Sequence, residues 1–257
     1  MEQISTVHAT YCGLPVAPQA LLQAWNMDWR LLLALLALLI TVGVRTRGRQ
    51  RRSAVLGWTV LVIAFVSPLC ALTVSLVSAR AVHHLLLLTV AAPCLAVLVP
   101  RTWQRWPSYL PLLALLVALV LWHVPAFYAW AWDSSVVYWL GQLALLLPAM
   151  VFWAALLAPL RERSAASAAT VLPALSQVAV LAGVMGLLGA VLSFAPQTLY
   201  PVHGMSAWMY GLQPLQDQQL AGLLMWVPGF VPLAAIAAHV LYKAWQHAAG
   251  AQGAAIS

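Results

Sequence analysis

Apolar residues in this chain run on in blocks and do not alternate with polar ones. Leu31 to Val44 contains no charge, and comparable runs recur as far as Trp245. Each is near the roughly 20 residues that a helix needs to cross about 30 Å of hydrocarbon. Helices are predicted over Trp29–Val44, Ala54–Leu76, His83–Val99, Tyr109–Pro125, Val136–Leu157, Val171–Phe194 and Gln218–Trp245, with charged, aromatic or proline-containing joints between them. The first and third are short for a span. The last is long and carries Pro228 and Pro232, which remove backbone donors and should kink or tilt it. The expected fold class is all-α: a polytopic membrane bundle of about seven helices, with a tail over residues 1–28, a membrane domain over 29–247 and a second tail over 248–257.

The joints set an orientation. Arg45, Arg47, Arg49, Arg51 and Arg52 follow the first helix, Arg101 and Arg105 the third, Arg161 and Arg163 the fifth, and Lys243 closes the seventh. Only Arg30 and Arg80 depart from that side. The positive-inside rule makes it cytoplasmic, with the N-terminal tail outside and the C-terminal tail inside. Tryptophans such as Trp25, Trp29, Trp122, Trp130 and Trp208 then gather at the outer boundary, and Trp103, Trp106 and Trp245 at the inner one.

Composition agrees with this picture: 64% of residues are hydrophobic and 7% charged, against roughly a quarter charged in soluble chains. The net charge of +7 is dispersed between apolar runs, so it reads as topology and not as a nucleic-acid surface. Met1 to Asp28 lacks a basic start followed by a short apolar core, so no cleaved leader is expected. Cys12, Cys70 and Cys94 stand singly, which indicates neither a disulfide framework nor a zinc knuckle. Ala179, Gly183, Gly186, Gly189 and Ala190 form a small-residue stripe that suits close helix packing. Ser164–Thr170 reads as a plain connection.

Candidate chemistry lies toward the outer side, where ionisable groups at membrane depth point to function. His83 and His84 open the third predicted helix and diverge by about 100°, so one should face the bundle; His84 is expected inward and His83 at the headgroups. His123 sits in Trp122-His123-Val124-Pro125, where the proline frees backbone carbonyls. His203, Met205 and Met209 place an imidazole and two thioethers close together, a donor set for soft Cu(I). Asp217-Gln218-Gln219 puts polar groups at the mouth of an apolar helix, with Gln218, Gly222 and Met225 on one face. Asp217 is as well suited to capping that helix as to holding a metal.

The Asp217-Gln218-Gln219 to Met225-Trp226-Val227-Pro228 helix, Trp122-His123-Val124-Pro125, and His84 with Leu85–Leu88 and Ala91-Ala92-Pro93 together resemble the CtaG-like cytochrome c oxidase assembly proteins. The likeness runs over roughly the third to seventh helices. It implies a multi-pass protein of the bacterial plasma (inner) membrane that serves haem–copper oxidase subunits, with copper delivery or insertion and other copper chaperones as expected connections. It also implies a metal site at His84, His123 and Asp217, helped by Met205, Met209, Met225 or His203. Family members often carry paired histidines where this chain has Arg80 with His84, and Tyr138 with Gln142.

The leading expectation is therefore a membrane assembly factor for a terminal oxidase, with copper ion as its cargo, the lipid bilayer as its setting and no nucleic acid as partner. No nucleophile–base pair, phosphate loop or paired carboxylates support an enzyme. Two alternatives stand beside it: a copper or small-solute permease, and a b-type haem protein with His84 and His123 as axial ligands. A retinal protein is disfavoured because the one lysine, Lys243, lies near the cytoplasmic end. Should the N-terminal tail fold over the outer site, Cys12 would join as a soft ligand.

Overall fold

The computed structural model describes residues 10–161 and 168–256. His8, Arg163 and most of the Ser164–Thr170 connection lie outside them, as does the side chain of His247. Among the described residues every regular element is a helix, and the one β-feature is an isolated bridge between Thr10 and Gly13.

Helix α1 spans Trp29–Arg45, capped by the Asp28 carboxylate, which accepts from the Arg30 N–H at 2.9 Å. Helix α2 (Gly48–Phe65) and α3 (Pro68–Ser75) are one predicted span bent by 49°. The cause is local: Pro68 cannot donate, and Ser67 caps α3 through the Leu69 N–H. Helix α4 is Val77–Leu98, α5 Tyr109–His123, α6 Pro125–Asp133, α7 Ser135–Arg161, α8 Ala168–Phe194 and α9 Pro214–Ile256. Helices α5 and α6 meet at Val124-Pro125 with a bend of 81°. Among the described residues four helices are long and apolar enough to cross a membrane, or up to six if each bent pair is one span. The 17-residue α1 is just short of that set, so the expected seven is reached only by counting it.

Two boundaries differ from expectation in ways that matter. Only Leu76, in an extended conformation, separates α3 from α4, so α4 begins six residues before the expected start at His83. His83 and His84 therefore lie well inside it. Its middle, Leu86–Ala91, is a π-helix. Within it the Ala92 N–H bonds the Leu87 carbonyl, and in that register Leu88 would need an N–H from Pro93, which has none. The Trp153 indole N–H of α7 takes the Leu88 carbonyl instead, at 2.8 Å. The turn is thus completed from a neighbouring helix. Pro228 and Pro232 sit inside a continuous α9.

Helices α8 and α9 pack along the small-residue stripe, as expected, though not at every member. A Cβ at Gly222 would collide with the Gly189 carbonyl and the Ser193 side chain, and one at Gly186 would meet Trp226, whereas Gly183 faces open space. Trp226 donates to the Gly186 carbonyl at 2.7 Å. That close approach brings Met185 of α8 and Met225 of α9, both buried, toward α4.

Candidate metal centre

Helix α4 is surrounded by α2, α7 and α9, so both of its histidines are interior. His83 is 0% and His84 6% exposed. The expectation that His83 sits at the headgroups is corrected: its ring packs edge-on against Phe65 at 4.8 Å and against His84 at 5.8 Å. The roughly 100° divergence holds, but a helix enclosed on all sides has no outward face at this level. Both His83 ring nitrogens and His84 Nε2 are buried without a hydrogen-bond partner in the protein.

His123 ends α5 one residue before the Val124-Pro125 break. Its Nδ1 lies 2.7 Å from the Leu119 carbonyl. A carbonyl only accepts, so Nδ1 carries the proton and Nε2 keeps its lone pair, the arrangement common to metal-binding histidines. The His123 carbonyl accepts from the Tyr200 hydroxyl at 3.1 Å, and Leu121 O accepts from the Val124 N–H. The carbonyls beside the proline thus find partners.

One small cavity, of about 10 Å³, is lined by His84, His123, Met185 and Met225 together with Leu85 and Leu88. Two imidazoles and two thioethers lining one cavity are a soft donor set of the kind that holds Cu(I). Three of the four are sequence candidates. Met185 was missed; it stands four residues before Gly189, on the stripe that packs against α9, and that spacing was the available signal. Among the described residues no three His, Cys, Asp or Glu side chains converge.

The remaining candidates lie elsewhere. Asp217 is fully buried, and its carboxylate accepts from the Val77 N–H at 2.6 Å, the Ser78 N–H at 3.1 Å and the Ser78 hydroxyl. It caps α4, not its own helix. Gln218 accepts from the Leu199 N–H at 2.6 Å and donates to the Leu192 carbonyl at 3.3 Å. His203 is buried with Nε2 2.6 Å from the Tyr128 hydroxyl, and burial, then the nearby Arg80 charge, pushes its pKa down to about 3. Met205 is 87% exposed and Met209 is exposed as well, so the expected His203–Met205–Met209 trio does not converge.

The cysteines require a further correction. Cys12 and Cys70 form a disulfide across 58 residues, leaving Cys94 the free cysteine. Cys12 therefore has no thiolate to offer a metal. The tail does fold back, as the disulfide requires: Tyr11 donates to Asp28 at 2.9 Å and stacks on Tyr138 at 5.2 Å, and the Val16 carbonyl accepts from Tyr210 at 2.7 Å. Burial and the neighbouring Asp28 charge raise the Tyr11 pKa, so the phenol stays a donor.

Between tail and histidines lies Arg80, 6% exposed. Its guanidinium carbon stands 5.6 Å from the ring centres of Tyr128 and Tyr138 and 5.8 Å from that of Trp122. Its Nη2 donates to the Thr73 carbonyl at 3.3 Å, and its Nε has no partner.

The family model for the cytochrome c oxidase caa3 assembly factor (Caa3_CtaG) matches residues 108–247, more than half of the chain, and the chain belongs to that family. The matched stretch holds His123, Met185 and Met225, while Arg80 and His84 precede it. No curated protein and no solved structure matches the chain.

Proposed function

We propose that this oxidase assembly factor hands Cu(I) to a nascent haem–copper oxidase subunit, holding the ion between His84 and His123 with the Met185 and Met225 sulfurs. The observation that carries this reading is the shared cavity: four soft donors from α4, α5, α8 and α9, each buried or nearly so, with one imidazole already oriented through its Nδ1 proton. Copper is cargo, so a site assembled from two thioethers suits it, because neutral sulfur holds Cu(I) without the charge that would prevent release.

The working orientation keeps the tail outside and the C-terminus in the cytoplasm of a bacterium, in its plasma membrane. The Cys12–Cys70 disulfide supports it, since disulfides persist on the oxidising side of such a membrane and rarely in the cytosol. Oxidase subunits and upstream copper chaperones are then met from outside. The protein is not assigned a reaction of its own.

The test is competition for Cu(I) between detergent-purified protein and a chromophoric chelator, with His84→Ala, His123→Ala, Met185→Leu and Met225→Leu as variants. One-to-one binding that weakens in all four supports the reading. Wild-type protein that leaves the chelator loaded, in a strain whose oxidase still needs the chain, replaces copper delivery with assembly by protein contact.

A further inference from the structure

The copper reading leaves Arg80 unused, and a guanidinium is costly to bury. Removing such a charge from water costs several kcal/mol unless partners compensate. Aromatic faces and one carbonyl do part of this. No carboxylate of the described residues does: Asp217 is committed to Val77 and Ser78, Asp28 to Tyr11 and Arg30, and Asp133 is solvent-exposed.

Around the guanidinium several buried polar atoms have no partner, His84 Nε2 at the edge of the same cavity among them. Arg80 Nε and Trp122 Nε1 can only donate, and both are buried without an acceptor. The Tyr138 hydroxyl has as its partner the Cys12 sulfur at 3.7 Å, a long contact to a weak acceptor. Two cavities flank Arg80, and Trp122 and Tyr128 line both. One, of about 10 Å³, is closed from outside by Thr10, Tyr11 and Cys12 of the tail; the other, of about 20 Å³, is bounded by His84, His123 and Tyr200. Each has room for about one water-sized occupant.

We propose that the Arg80 chamber binds a small monovalent anion, chloride in size, held by the guanidinium and the Trp122 indole N–H under the disulfide-anchored tail. Water could accept from these donors but would leave the charge uncompensated, whereas a halide does both. The site stands independently of the copper reading, although an anion here also offsets the repulsion that Arg80 exerts on a cation held by His84 and His123.

The experiment compares unfolding midpoints of the purified full chain in chloride and in gluconate at equal ionic strength, with ³⁵Cl NMR line broadening as a direct reading of bound chloride. Wild type should unfold about 3 °C or more higher in chloride at ~10 times the dissociation constant. It should also broaden the chloride line in a way that bromide competes away. Arg80→Gln should lose both responses. Trp122→Phe keeps the ring and removes the N–H, so it should weaken them even if Arg80→Gln fails to fold. Equal midpoints without broadening in wild type overturn the proposal, and so does a chloride response that survives both substitutions. Neither reading involves copper, so failure here is distinct from failure of the copper assignment.

Discussion

The Asp217 carboxylate of α9 lies 3.1 Å from the backbone N–H of Ser78 and closes the first turn of α4, a helix 139 residues earlier in the chain. A capping carboxylate satisfies donors that would otherwise be buried unpaired, and its charge suits the positive end of the helix. Here it also ties the last span to the one bearing His83 and His84.

Replacing Asp217 by Ala should therefore cost stability first, by about 1–3 kcal/mol for the stranded N–H groups. Thermal unfolding in detergent checks this. A variant of unchanged midpoint that has lost Cu(I) binding would instead make Asp217 a ligand.

Substituting Cys12 or Cys70 by Ser should lower stability by about 2–4 kcal/mol, because the bridge closes a long loop. Tyr11 should then quit its stack on Tyr138. Thiol alkylation of intact protein provides the check: wild type should be labelled at Cys94 alone before reduction and at three sites after it.

Gly222→Ala should push α8 from α9, since the added methyl meets the Gly189 carbonyl and Ser193. Overpacking of this kind costs about 1–3 kcal/mol. Met185 and Met225 would separate with the helices, so Cu(I) affinity should fall about 10-fold or more without loss of any donor. Affinity equal to wild type in a stably folded G222A protein would detach the sulfurs from the site.

Acid should destabilise the native state partly through His203. Its folded pKa is pushed to about 3 from an ordinary 6.5, so the native ring stays neutral where the unfolded one protonates. Stability present above pH 6.5 is then lost progressively as pH falls toward 3. His203→Gln, which cannot protonate there, should flatten the decline in unfolding midpoint between pH 6.5 and 4. A slope identical to wild type would show that His203 contributes nothing to it.

The spans over residues 135–157 and 171–194 match the structure to within a residue or two because their cause is local: unbroken apolar runs ended by polar joints. The α3–α4 junction was not legible, since a single extended residue between two apolar segments leaves no polar gap to read. The same blindness put His83 at the surface. His84 and His123 were legible as candidates because histidine in an apolar run stands out, whereas Met185 was not, because methionine in such a run looks like any core residue.

By itself the amino-acid sequence determined the succession of apolar helices, the family resemblance and the residue types able to hold a soft ion, all of which depend on composition or spacing within one segment. The tertiary structure alone decided that Asp217 caps α4, that Cys12 meets Cys70, that Met205 and Met209 turn outward, and that Arg80 is enclosed without a carboxylate. Those contacts join segments far apart in the chain. In an evenly apolar helix no strong period marks which face meets which neighbour, so only the packed arrangement selects them.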